Sequence, residues 1–388
     1  MNKYLLILLI LSTELTHAID DVKNSPKYNS MPIEFNGYIM LDHDYFSPFY
    51  DSKSNDYKHK TEIRRSKLGI TFKPNEYLNG KAQIKYSKAF PGEGEYELGD
   101  AYIRIENNQN LGVQAGHMKE PFGLEQQTSS TELISIERSL PTDTFTPSRS
   151  YGVLFDYKKK SYTLAGGYFI NRDTNNEFSL SNFDILDIKN KDSEAISLRI
   201  TAAPIRKKSQ TLHIGSSVSK RNLFENKFQY ENIADIHSSD KIIRSARFYA
   251  DSSEIYLFDL AMHQNNWLIQ AELFSNTIQQ TSSNQWNYLG TYIQASYKNT
   301  GSYRYKKGKF KSSKTNKTVW EWVVRQSYID LEDNGIGNKT TTSLIGLNIH
   351  LNSYVKVMMN ANFAWTAGDI INKYSSGNAY SMRLQLNY

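Results

Sequence analysis

The feature that most limits how this chain can fold is a period-two alternation of apolar and polar residues, repeated along most of its length. Ile33, Phe35, Gly37, Ile39 and Leu41 alternate with Glu34, Asn36, Tyr38, Met40 and Asp42; Leu68, Ile70 and Phe72 alternate with Lys67, Gly69, Thr71 and Lys73. The pattern returns at Ala101/Ile103/Ile105, at Ile196/Leu198/Ile200 and at Val355/Val357/Met359/Ala361/Phe363/Trp365. It runs out through Met382, Leu384 and Leu386 to the aromatic Tyr388. Side chains alternate faces along a strand, so each such segment has one apolar and one polar face. Segments of about ten residues, separated by turn residues, are the pattern of a transmembrane β-barrel, whereas the strands of a soluble sandwich are usually shorter. Composition agrees. Aromatics make up 13 % of a chain whose mean hydropathy is only -0.59, as expected where half of each strand faces lipid and half faces water.

Several classes are excluded. No apolar run approaches the roughly 18 residues of a membrane-crossing helix. With no cysteine there is no disulfide framework and no thiolate site. The opening residues, with Lys3, the apolar run Leu5 to Leu11 and Thr16-His17-Ala18, read as a signal peptide over 1–18. A short periplasmic segment over 19–32 then precedes an all-β barrel domain over 33–388. Removing Lys3 and Glu14 leaves 45 basic against 39 acidic side chains, so the mature chain keeps the formal charge of +6. Strands are expected near 33–42, 61–73, 80–88, 97–106, 111–119, 150–158, 161–170, 194–202, 211–219, 253–262, 266–276, 287–298, 318–330, 341–351, 354–365 and 379–388. Sixteen is an even number, which puts both ends and the short turns on the periplasmic side. A further strand over 244–250 would make the count odd.

The stretch Thr61-Glu62-Ile63-Arg64-Arg65-Ser66-Lys67-Leu68-Gly69, followed by Leu98-Gly99-Asp100-Ala101-Tyr102, resembles segments of the phosphate-selective porin O/P family of outer-membrane porins. The block from Gly116 to Arg149, GHMKEPFGLEQQTSSTELISIERSLPTDTFTPSR, resembles the same family, as do WLIQAELF, GTYIQASYKNTGSYRY, WEWVVRQSYIDLEDN and IGLNIHLNSYVKVMMN in order. The resemblance covers nearly the whole mature chain. It implies a transmembrane antiparallel β-barrel of about 16 strands, usually a homotrimer, with an inward-folded constriction loop over 120–149 and a basic pore for anions. Thr131-Glu132 follow the Thr-Ser-Ser step, where phosphate-selective relatives tend to carry a lysine.

Parity assigns the lumen. Arg65 and Lys67 lie opposite Leu68 and Ile70 and should face the pore, with Lys81, Lys85, Arg104, Arg199, Arg325, Lys356 and Arg383. The corresponding acids are Glu34, Asp42, Asp100, Asp156, Glu272 and Glu321. Arg64 shares the lipid parity and needs a bulge or a position above the apolar band, so Arg65 is favoured over it for the anion pathway, with pairing to Asp100 as the competing role of Arg65. In the constriction loop, Ser129, Ser130, Arg138 and Arg149 offer donors to an anion. Arg138, beside Glu137, reads better as a residue that braces the loop. Arg304, Lys306, Lys307, Lys309, Lys311 and Lys314 make a basic periplasmic connection, either collecting anions or simply solvated.

Chemistry other than permeation has little support. The histidines show no zinc-ligand spacing, so no metal or cofactor is expected, and Gly92-Glu93-Gly94 lacks the helix a dinucleotide site needs. The basic connection carries no nucleic-acid-binding motif. His213 and His350 have luminal parity and read as pore-lining polar groups. The expected function is a passive channel for small anions, with phosphate or polyphosphate as solute. A general diffusion porin with weak anion preference and a surface receptor or adhesin barrel are the alternatives.

Overall fold

A computed structural model of the chain describes residues 33–75, 77–90, 94–107, 110–171, 193–313, 317–369 and 373–388. The expected signal peptide, the segment 19–32 and Lys314 lie outside these residues. No described helix is long and apolar enough to cross a membrane. The chain forms β1 (Ile33–Phe46), β2 (Lys58–Phe72), β3 (Leu78–Phe90), β4 (Gly94–Glu106), β5 (Leu111–Lys119), β6 (Arg149–Lys158) and β7 (Tyr162–Asn171). It continues through β8 (Ser193–Arg206), β9 (Gln210–Phe228), β10 (Glu231–Asn232), β11 (Ile243–Arg244), β12 (Phe248–Gln264), β13 (Trp267–Gln280) and β14 (Gln285–Lys298). The last are β15 (Tyr303–Lys306), β16 (Lys309–Ser312), β17 (Val319–Asp330), β18 (Asn338–His350), β19 (Val355–Gly368) and β20 (Ser376–Asn387).

Sixteen of these close an antiparallel barrel in chain order, with β10–β11 and β15–β16 as separate two-stranded ribbons. Closure pairs β1 with β20 from Tyr38 opposite Asn387 to Phe46 opposite Ala379. At the seam Gly37 and Tyr388 exchange both backbone bonds, at 3.3 and 3.1 Å. A Cβ at Gly37 would collide with the Tyr388 phenol, so only glycine lets that ring lie across the seam.

The wall is apolar outside and polar inside, as alternation requires. Leu68, Ile103, Phe155, Ile200 and Ile345 project outward and stay exposed, while Ser197, Thr201, Ser217, Ser327 and Thr342 point inward and are buried. Such an inversion holds only where the outer solvent is hydrocarbon. Strand length is uneven. β5, β6 and β7 have 9, 10 and 10 residues, whereas β9 and β12 have 19 and 17.

The sequence reading leaves one point open and misses one element, both in chain that is not wall. The stretch 244–250 adds no seventeenth wall strand. Ile243–Arg244 pair with Glu231–Asn232 in a small ribbon, and Phe248 already begins β12. The basic connection after β14 forms an unexpected hairpin, β15–β16, turned by Lys307 (φ 51°) and Gly308 (φ 77°). Two positive φ values in a two-residue loop match the right-handed twist of the flanking strands.

In detergent the protein is expected to give a β-rich circular-dichroism spectrum and to migrate differently before and after boiling. Replacing Gly37 with Leu should lower the temperature at which the folded band disappears, since the Tyr388 ring loses its seat. A helical spectrum would contradict the architecture.

Candidate functional site

A sixteen-stranded barrel is wide enough to leave an aqueous channel unless chain folds into it. Among the described residues three segments do so: the connection 120–148, the connection 229–247 and the β15–β16 hairpin.

The connection 120–148 leaves the wall at Pro121-Phe122-Gly123, where Gly123 (φ 64°) donates its N–H to Ser217 Oγ at 3.2 Å. Two short helices follow, α1 (Leu124–Gln127) and α2 (Leu140–Phe145). The N–H groups of Leu124 and Glu125 at the start of α1 donate to the Glu272 carboxylate, and so does the Thr142 hydroxyl. A carboxylate there satisfies orphan backbone donors. Glu125 in turn accepts Ser139 N and Oγ at 3.0 and 2.8 Å.

The strongest anchor is Glu137. Its carboxylate takes Arg64 at 2.8 and 3.0 Å, Arg383 at 2.7 Å and Arg65 at 3.5 Å, and Arg383 also holds Asp42 bidentately at 2.7 and 2.6 Å. Burial alone would raise the Glu137 pKa, but the Arg64, Arg65 and Arg383 guanidiniums overcome it and hold this carboxyl well below the usual range. Lys356 donates to Thr131 O and Leu133 O, and Arg325 to Ser135 Oγ, Glu137 O and Asp235. Arg138 donates to Thr128 O at 3.0 Å, the bracing role its sequence context pointed to.

The connection 229–247 fills the mouth beside β9–β20. Ile236, Ile242 and Ile243 join Phe46, Phe49, Tyr50, Phe122, Leu140 and Phe145 in one buried apolar cluster. His237 binds Glu62 at 2.6 Å and Ser238 binds Asp44. From the short-turn end the hairpin enters the lumen. Tyr305 Oη meets His213 Nδ1 at 2.8 Å, and Tyr303 donates to Glu321, which also takes His350. Its tip reaches Glu106 through Lys307, and Ser312 N donates to Glu132 of the constriction loop at 3.0 Å.

The side of the lumen beside β2–β6 carries the remaining basic groups. Lys85 pairs with Glu97 at 3.0 Å, while Asp100 accepts both Lys81 at 2.8 Å and Arg149 at 2.6 Å. Arg65 Nη1 donates to Ser130 Oγ at 2.9 Å, and Lys67 lies over the Tyr38 ring with only a long bond to Gln83, at 3.4 Å. Lys119 donates to Gln126 O and Thr128 O. Lys309, from the hairpin, has no carboxylate within ion-pairing distance among the described residues, and its pKa is pushed down to about 8 by burial and by Lys158, Lys311, Arg199 and Lys81.

The sequence-derived candidates thus separate. Arg65, Lys67, Lys81, Lys85, Asp100, Arg149 and Ser130 come together, although Asp100 holds Lys81 and Arg149 rather than Arg65. Arg64 does turn inward, because the β2–β3 register slips between Ile63 and Ser66, but it is buried against Glu137. Arg104 is held by Asp156 and Glu106, Arg199 by Asp259 and Arg325 by Asp235, so these three brace the interior. Ser129 bonds Thr131 Oγ1 within its own turn. The sequence reading misses Lys119 and assigns Lys309 to a basic periplasmic connection outside the lumen. The signal for Lys309 was Lys307-Gly308 between Tyr303-Arg304-Tyr305 and Lys309-Phe310-Lys311, an alternating pair around a two-residue turn.

Comparison with known proteins adds family and fold. The profile of the family described as phosphate-selective porin O and P matches residues 34–388. A protein of Caulobacter vibrioides, described only as uncharacterized, is 25% identical over 300 residues, covering 74% of this chain; the match spans 59% of that relative's length. Among solved structures, an anion-selective porin from Comamonas acidovorans superposes with a TM-score of 0.57 at 9% identity, over 92% of this chain and 99% of its own. The trimer form of OmpT from Vibrio cholerae superposes at 0.55 and 11% identity, over 92% and 99%.

Glu137→Gln should loosen the constriction loop and give larger, noisier single-channel currents, since breaking a buried ion pair costs about 3–5 kcal/mol. Because the Glu137 pKa is depressed, its contribution is present above the ordinary glutamate value of roughly 4.3 and lost only as pH falls through the lower folded value. Current noise in the unmodified protein should therefore be the same at pH 4.5 as at pH 7; a rise at pH 4.5 would contradict the anchor.

Proposed function

Because the chain belongs to the phosphate-selective porin O and P family, we propose that it is an outer-membrane channel through which small anions, phosphate and short polyphosphate foremost, diffuse passively. The observation that carries the reading is the β2–β6 side of the lumen. Arg65, Lys67, Lys81, Lys85, Lys119, Arg149 and Lys309 lie along it beside the constriction loop, with Glu97 and Asp100 as the carboxylates paired among them and Glu137 reaching Arg65. Low-dielectric walls and a surplus of fixed positive charge concentrate anions and repel cations. Arg65 supplies a planar fork matched to two oxygens of one phosphate, and the lysines supply point charges for successive positions. Three chains are taken to assemble in the outer membrane, a reading supported by the trimer form in which OmpT, an outer membrane protein of the same fold, is found.

Reversal potentials in a salt gradient across a planar bilayer test the class. Anion selectivity is expected; cation selectivity would overturn the reading, and absence of conductance would favour a receptor barrel. A general diffusion porin would pass chloride without phosphate block. Arg65→Ala should raise the phosphate concentration for half-block of chloride current about tenfold to a hundredfold, the range set by roughly 1.5–3 kcal/mol for a charge-assisted hydrogen bond. Arg64→Ala should instead raise conductance and noise by freeing Glu137.

Lys309 supplies a pH signature. It is charged below about 8 and loses its charge as pH rises through that value, so block by sulfate, whose own charge is constant there, should weaken between pH 7 and 9. In Lys309→Arg the weakening should be reduced. Equal pH dependence in both proteins would remove Lys309 from the path.

A further inference from the structure

Between the tip of the constriction loop, the foot of the hairpin and strands β17–β20 lies a cavity of about 130 Å³. That is an order of magnitude beyond the roughly 10–15 Å³ one water occupies in this measure. It shares no lining residue with the Arg65–Lys309 track. Three lysines border it: Lys356 and Lys298, 4% and 2% exposed, and the exposed Lys317. Lys356 donates to Thr131 O and Leu133 O, which occupies two of its three N–H donors. Lys298 lies over the Tyr303 ring and bonds Ser312 Oγ, with Glu321 at 3.8 Å.

The carboxylates on the cavity's edge are already engaged. Glu321 accepts from His350 at 2.8 Å, Tyr303 at 2.5 Å and Asn348 at 3.1 Å, and Glu132 accepts Ser312 N. One lining group is left unmatched. Gln385 is 1% exposed; its Nε2 donates to Thr131 O and Asn387 Oδ1, each at 3.2 Å, which fixes the amide orientation, and its Oε1 has no hydrogen-bond partner. A buried acceptor left without a donor is costly, about 1–3 kcal/mol.

The cavity therefore asks two things of an occupant: negative charge toward Lys356 and Lys298, and a hydroxyl proton toward Gln385. Chloride and sulfate meet only the first. We propose that this cavity is a second anion site, specific for a protonated oxyanion, with hydrogen phosphate donating its P–OH to Gln385 Oε1 while its other oxygens accept from Lys356 and the neighbouring serine hydroxyls. The inference rests on the reading of the protein as a phosphate channel only for the choice of ligand, since its residues are not those of the conduction track.

Equilibrium dialysis of the full chain in detergent against radiolabelled inorganic phosphate tests it, with sulfate as the hydroxyl-free competitor. Two classes of phosphate site per chain are expected, one of them not displaced by sulfate. Ser353→Phe, which fills the cavity from its exposed rim, and Gln385→Leu, which removes the acceptor at similar volume, should each weaken that class at least tenfold. Phosphate block of chloride current should be unchanged in Ser353→Phe. A single class of site, displacement of both classes by sulfate, or retention of both classes in the two variants would each overturn the proposal. Loss of current block with the sulfate-resistant class intact would overturn the channel reading and leave this site standing.

Discussion

The arrangement of the lumen depends on one carboxylate. Glu137 sits at the middle of a loop of nearly thirty residues that by topology belongs outside the barrel, and its side chain is gripped by Arg64 and Arg65 from β2 and Arg383 from β20. These strands flank β1, so the knot lies beside the seam where the barrel closes. A buried glutamate alone would be too costly to ionise, and two buried guanidiniums with a half-buried third would by themselves repel one another. Together with Asp42 they become a compact network in which each charge compensates the next. With Glu137 fixed, Ser135 and the backbone carbonyls at 131, 133, 136 and 137 fall within reach of Arg325, Lys356, Gln385 and Arg383.

That anchoring divides the luminal charges by role. Arg199, Arg325 and Arg383 each face a buried carboxylate at 3.0 Å or less, and their neighbourhood is filled by the two inserted loops and the hairpin. The apolar cluster around Phe46, Tyr50, Phe145 and Ile243 fills the mouth on that side with side chains that offer a permeant ion no polar partner. Lys67, Lys81 and Arg149 face weaker compensation: Asp100 is shared between two of them, and among the described residues Lys67 has an amide oxygen and a ring face rather than a carboxylate. A charge whose partner is shared or absent attracts a passing anion more strongly than one already neutralised at short range.

Much of this was legible in the sequence, and the remainder fails for a physical reason. Alternation located the sixteen wall strands, because in a barrel the period is enforced at every residue by two different solvents. It placed Arg65, Lys67, Lys81, Lys85, Arg199, Arg325 and Arg383 inside for the same reason. It left Arg64 on the lipid side, because a bulge between Ile63 and Ser66 shifts register without changing composition. Parity also says nothing of what a side chain meets across the lumen. Arg199 and Lys81 have the same signature, yet Asp259 is buried beside one while Arg149 shares the partner of the other. Contacts between strands far apart in sequence, and with loops that fold back, decide that difference. Lys309 was hidden because a connection that should lie in solvent re-enters the pore on a four-residue ribbon.

The re-entrant hairpin also changes the meaning of the residue after the Thr-Ser-Ser step. Glu132, standing where a lysine resemblance would be expected, sets a negative charge on the constriction loop and by itself argues against anion passage. Its carboxylate, however, accepts the backbone N–H of Ser312 and lies within electrostatic reach of Lys298 and Lys356, on the side of the loop away from the Asp100 pairs. Meanwhile the hairpin that Glu132 secures carries Lys309 to within reach of Lys81 and Lys158. The acid ties down the element that delivers the missing base. The constriction therefore keeps a cation at this level while drawing it from the opposite end of the barrel, and the two plugs restrict the pore as one connected body.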